Sequence, residues 1–168
     1  GDLRLGGGST FVQAVETKQQ ILVFTNKTLH SMKFIGPPFT FGLQELSKNI
    51  TIMSPASAVA VEDVVFWMGV DTFYIYAGGT QQLPCTVKDK VFLDFNFDER
   101  DKVHVGVNSE FSEVIWFYAK ADSSSVNAYV IYNYAEKVWY YGTLNRDAWI
   151  DRGIRTFPIA TGNSLLYN

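Results

Sequence analysis

Two histidines, one cysteine and several closely spaced carboxylates are the residues of this 168-residue chain whose chemistry could reach beyond packing. His30 and His104 each sit in a strand-like segment with no Cys or His close by. A histidine metal site or a Ser-His-Asp triad needs partners that this spacing does not advertise, so both read as structural or partly exposed. Cys85 follows Pro84 and has no adjacent base, which makes it a small buried residue rather than a nucleophile. As the one cysteine it permits no intrachain disulfide, so the fold must stand on burial alone. Glu110 and Glu113 flank Phe111-Ser112, and Asp147 and Asp151 bracket Ala148-Trp149-Ile150. Paired carboxylates can do acid-base work, but nothing in these spacings separates them from solvated turn residues.

Two other patterns imitate ligand loops. Asp94-Phe95-Asn96-Phe97-Asp98 places oxygens at the first, third and fifth positions of a calcium loop. Glu99 then stands where the sharp turn wants Gly, and Val105 where the bidentate Glu belongs. Strand alternation explains the run better, with Leu93, Phe95 and Phe97 on one face and Asp94, Asn96 and Asp98 toward water. Leu5-Gly6-Gly7-Gly8-Ser9-Thr10 has the glycines of a phosphate loop but neither the Lys before Ser or Thr nor a following helix, so it is expected to be a turn. Trp116-Phe117-Tyr118 and Trp139-Tyr140-Tyr141 could stack on sugars or bases if exposed. Core packing is expected for the first set; the second, ending at Gly142 and followed by Arg146, is more open. No catalytic, cofactor-binding or metal-ligating residue is assigned, and no cofactor is expected.

The elements that must position these residues are strands. Of the residues, 47% are apolar and 15% aromatic, against 18% charged, a composition that excludes disorder and favours β structure. A net charge of −3 and a pI near 5.3 argue against a dedicated binder of nucleic acid or anionic membrane. No stretch approaches the roughly 18 apolar residues of a membrane helix; the longest candidate, Ala56 to Val70, is interrupted by Glu62 and Asp63, and the chain reads as soluble. Gly1 to Thr10 reads as loop or linker rather than signal peptide, and Ser164 to Asn168 as a strand cut short, so the chain is expected to be part of a longer polypeptide.

Short β-branched and aromatic runs recur between turn residues: Ile21–Thr25, Val64–Met68 and Val114–Tyr118. Each is apolar on both faces, as in strands covered on both sides. Turn chemistry at Asn26-Lys27, Gly69-Val70-Asp71 and Asp122–Ser125 leads to second strands at Leu29–Phe34, Phe73–Ala77 and Tyr129–Tyr134. A fourth hairpin is expected from Pro158 to Thr161, turning at Gly162-Asn163-Ser164 into Leu165–Tyr167. Second strands therefore begin 44, 56 and 36 residues apart, near the ~45-residue period of four-stranded propeller blades. The expectation is an all-β, β-propeller-like domain with units near 11–55, 56–105 and 106–153 and the start of another at 154–168. An ordinary sandwich or barrel is the competing design, and would show more polar/apolar alternation.

The order of several segments resembles a family of tail proteins of short-tailed bacteriophages, known as packaged-DNA stabilisation, tail hub or tail nozzle proteins. Its carriers are Gly7-Gly8-Ser9 before Val12–Lys18, then Ile21–Met32 with Gly36-Pro37-Pro38-Phe39, Ser54-Pro55, Phe66-Trp67-Met68-Gly69 and Phe73–Tyr76. Leu83-Pro84-Cys85, Glu113–Tyr118, Tyr129–Trp139 with Tyr141-Gly142, and Arg146–Gly153 complete the set. The resemblance implies a virion structural protein, not an enzyme, with a propeller-like portion in a ring homo-oligomer below the portal. Its implied partners are other tail and portal or adaptor proteins and packaged DNA, which passes through the lumen without sequence-specific binding; no membrane partner is implied. Two alternatives remain: a kelch-like interaction propeller, suggested by Tyr76-Ala77-Gly78-Gly79 and by Tyr132 with Trp139, and a propeller-type carbohydrate-binding or glycosidase domain.

Overall fold

The computed structural model describes residues 9–167, and within them the chain is all-β apart from one short helix and one 3-10 segment. The glycine run lies largely outside the described residues, as does Asn168. Strands form four antiparallel sheets, and the chain divides between Leu83 and Pro84 into two compact units with two sheets each. No helix of the described residues is long and apolar enough to cross a membrane.

Unit 1 begins with β1 (Phe11–Glu16), β2 (Ile21–Thr25), β3 (Thr28–Phe34) and β4 (Phe41–Lys48), hydrogen-bonded in chain order. β5 (Ala58–Val61), β6 (Val64–Met68), β7 (Phe73–Tyr76) and β8 (Thr80–Leu83) repeat the pattern. Because side chains alternate across a strand, Leu22 and Phe24 share one face of β2, and Val65 and Trp67 one face of β6. These four join Leu29, Tyr74 and Tyr76 in a single buried cluster. Trp67 is its anchor: its ring meets Phe24 edge-on at 5.1 Å and stacks on Tyr74 at 5.1 Å, and its indole N–H donates to Thr51 O at 3.0 Å. The alternate residues Val23, Phe66 and Met68 are buried too, so both central strands are covered on both faces. The edges are joined by Gln13, whose side-chain amide donates to Ala58 O at 2.8 Å and accepts from Ala58 N at 3.1 Å.

Unit 2 opens with α1 (Lys88–Leu93) and a 3-10 segment at Phe97–Lys102. Next come β9 (His104–Asn108), β10 (Glu113–Tyr118), β11 (Ala128–Asn133) and β12 (Val138–Thr143), again in chain order, then a three-stranded sheet of β13 (Ala148–Ile150), β14 (Ile159–Gly162) and β15 (Leu165–Tyr167). All of Val114 to Tyr118 is buried. Ile115 and Phe117 cluster with Val126 and are flanked by Tyr129, Ile131 and Trp149. On the other face Trp116 stacks on Trp139 at 6.1 Å, and Trp139 donates to Pro84 O at 2.9 Å. Trp149 carries β13 onto β9: its indole N–H donates to Val107 O at 2.9 Å, and the ring lies where a Cβ at Gly106 would be. Glycine at 106 is thus a requirement of close approach.

The four expected hairpins are the pairs β2–β3, β6–β7, β10–β11 and β14–β15. At the last, Asn163 and Ser164 both take positive φ, 51° and 61°, the backbone a two-residue primed turn needs. One expectation fails. Leu93 to Asp98 is not an alternating strand: Leu93 ends α1 and is exposed, Phe95 is buried at a single bridge to Lys120, and Phe97 opens the 3-10 segment. Local capping overrides the period-two pattern, for Asn96 Oδ1 accepts from Asp98 N at 3.1 Å and turns the chain.

Trp67 and Trp116 are both fully buried, so truncation of either to Ala should cost about 3–5 kcal/mol in urea unfolding; midpoints equal to the parent's would refute their place in the core. Gly106→Ala should cost about 1–3 kcal/mol through overpacking. Combined with Trp149→Ala, its additional cost should shrink, whereas strict additivity in the double-mutant cycle would mean the two positions do not press on each other.

Candidate functional site

The residues singled out for chemistry are mostly occupied in holding turns. His30 is buried and its Nε2 lies 2.8 Å from Thr28 Oγ1, itself 2.7 Å from Thr25 Oγ1, within the hydroxyl network of the β2–β3 turn. Asp94 pairs with Lys120 at 3.2 Å, while the Asn96 amide serves Ser123 O and Asp98 N. Asp94 and Asn96 are thus committed to different partners, and among the described residues no group of three or more His, Cys, Asp or Glu is placed to hold a metal ion. Cys85 is half-buried, and burial pushes its thiol up to about 11, leaving very little thiolate near neutral pH.

The carboxylates divide differently from their sequence pairing. Glu113 accepts from Asn108 Nδ2 at 3.0 Å. Asp151 accepts from Ser109 N and Arg152 N, and Arg152 in turn meets Glu110 at 3.4 Å, so Glu110 and Asp151 together close the β9–β10 turn onto the end of β13. Both partners of that ion pair are substantially exposed, and such pairs contribute little stability. Asp147 donates its N–H to Thr161 O at 2.7 Å and lends a negative charge to the surroundings of His104. His104 stacks on Phe117 at 4.9 Å, its Nδ1 lies 3.2 Å from Lys102 O, and its Nε2 is buried without a hydrogen-bond partner among the described residues. Burial holds this imidazole below its ordinary 6.5, partly opposed by the Lys102 carbonyl and Asp147.

Trp116, Phe117 and Tyr118 are core, as expected, and burial pushes the Tyr118 hydroxyl up to about 12. The second aromatic set splits: Trp139 is buried, while Tyr140 and Tyr141 are half-exposed. Arg146 stacks over the Tyr167 ring at 3.9 Å.

Three surface features of the described residues bear on function. In unit 1 a polar cleft of about 290 Å³ is lined by Thr17, Gln19, Gln20, Lys33, Asp63 and Tyr76. Its polar groups largely satisfy one another: Gln20 Nε2 donates to Tyr76 OH at 2.9 Å, Gln20 Oε1 accepts from Ser31 Oγ, and Asp63 accepts from Lys18 N at 3.1 Å. In unit 2 a groove of about 300 Å³ lies over Ile115, Phe117, Tyr129 and Ile131, with Leu144 and Trp149 beside them and Glu113 and Asn108 at its polar end. The third is the β3–β4 hairpin tip, where Phe34, Ile35, Phe39 and Phe41 are 70%, 57%, 69% and 46% exposed. Phe34 and Phe41 meet edge-on at 6.0 Å, and Ile35 N donates to Thr40 O at 3.1 Å, so the tip projects as an apolar knob. The sequence points to Gly36–Phe39 only through the resemblance and marks no surface there. The available signal was four large apolar residues around Gly36-Pro37-Pro38, where a solvated turn would be polar.

No protein-family model matches this chain, and no curated protein matches it either.

The buried Nε2 makes His104 a source of acid sensitivity. The unfolded chain binds a proton near pH 6.5 while the folded imidazole resists one until lower pH, so stability is full above that value and falls as pH drops through the window just below it. Urea midpoints should decline from about pH 7 to about pH 5, and less steeply in His104→Phe. An unchanged slope in that variant would acquit His104.

Proposed function

We propose that this chain belongs to a structural tail protein of a short-tailed bacteriophage, a hub or nozzle component that lines the DNA conduit and helps retain packaged DNA. One observation carries the reading: antiparallel sheets follow one another in chain order, with central strands apolar on both faces, and those strands bear the segments that resemble the tail family. In this reading the sheets are successive blades of a propeller-like body, which explains strands covered on both sides. Copies form a ring in the virion and meet other tail and portal or adaptor proteins through protein contacts. The net charge of −3 suits a wall that lets a duplex slide instead of gripping it, with retention left to steric closure.

A carbohydrate-binding domain is the second reading, favoured by the polar cleft beside Tyr76. Its chief hydrogen-bonding side chain, Gln20, is already engaged at both ends of its amide. Polysaccharide binding lost on Tyr76→Phe, or glycosidase turnover lost on changing Glu113 or Asp147, would replace the tail reading.

Antibodies raised against the chain should label the tails of particles of the virus that encodes it; unlabelled particles would overturn the assignment. At physiological salt the purified chain should bind duplex DNA no tighter than about 100 µM. Sub-micromolar binding with a steep salt slope would contradict a sliding wall.

A further inference from the structure

We propose that the β3–β4 knob of one copy seats in the unit 2 groove of a second copy, making a head-to-tail contact between chains. An exposed cluster of four large apolar side chains marks an interaction site, because leaving so much apolar surface in water is costly unless something covers it. The occupant is argued from what the chain itself presents. The groove is walled by Ile115, Phe117, Ile131 and Trp149, the surface that a Phe or Ile knob requires, and at about 300 Å³ it has room for an aromatic side chain. Charge gives the register. Lys33, exposed at the base of the knob, is the one charged residue from Met32 to Gln44, and Glu113 stands at the polar end of the groove. Among the described residues Lys33 takes no part in the ion pairs of unit 1, Lys18–Glu62 and Lys48–Glu45.

Knob and groove are different surfaces, so the contact is heterologous. Repetition then gives a closed ring when the rotation returns to its start, and an open filament otherwise. The inference rests on the tail reading only for the place of that ring in a virion; the contact itself is a property of this chain.

In a Cys85→Ser background, chains carrying Phe39→Cys and chains carrying Leu144→Cys would be mixed and oxidised, with Leu93→Cys as an exposed control. Phe39 and Leu93 are exposed and Leu144 partly so, which keeps folding out of the comparison. The Phe39–Leu144 disulfide should form between copies at least about tenfold faster than either cysteine reacts with the control. In sedimentation, Phe39→Ser and Leu144→Arg should each weaken self-association by about tenfold or more. Lys33→Glu should weaken it as well, with recovery on adding Glu113→Lys. A parent chain that stays monomeric at high micromolar concentration, variants that associate like the parent, or a disulfide no faster than the control would each overturn the proposal. Tail labelling with unaltered association of the variants would sink the contact and leave the tail reading standing; association through the contact without labelling would do the reverse.

Discussion

A strand that is apolar on both faces cannot survive in a lone sheet, and the central runs of this chain are of that kind. Leu22 to Phe24, Val65 to Met68 and Val114 to Tyr118 each demand a covering layer above and below. Within each unit, the neighbouring sheet supplies the layer for one of these faces, and large aromatic side chains fill the gap. Filling it with indole creates a second demand, since a buried N–H needs an acceptor. Trp67, Trp139 and Trp149 all meet it with a backbone carbonyl, those of Thr51, Pro84 and Val107. Two of these acceptors lie outside the sheets, so burial in the core also fixes connecting segments that have no ladder of their own.

That arrangement explains why the chemically versatile residues are so occupied. Connections between strands must turn sharply while satisfying their backbone groups, and short polar side chains do this locally. Thr25, Asn96, Asn133 and Asp151 all accept from nearby main-chain N–H groups. A carboxylate or hydroxyl committed in this way is held in place but has fewer lone pairs to offer a substrate. Exposed apolar residues at the β3–β4 tip carry no such polar commitments.

Strand identity and hairpin pairing were legible because they rest on local signals: β-branched and aromatic runs broken by turn residues. The alternation at Leu93 to Asp98 misled because period two is shared by strands and by accidental alternation in capped turns, and a side-chain bond from Asn96 decided between them. The candidate surfaces were less legible still. The regrouping of Glu110 with Asp151 and the approach of Trp149 to Gly106 join residues some forty positions apart, and nothing in either local sequence announces the other. The knob was written openly at Phe34 to Phe41, but its exposure depends on which distant segments fold over it, and none of the described residues covers it.

The parallel stack of Trp67 on Tyr74 also has an optical meaning. Trp67 is the one indole before Pro84, whereas Trp116, Trp139 and Trp149 all follow it. The chain thus carries a built-in division of its own fluorescence, with a single emitter in unit 1 held in a dry aromatic cage and three in unit 2. Replacing Trp67 by Phe silences the first without touching the others. Excited-state emission can therefore be assigned to one half of the molecule with no extrinsic dye.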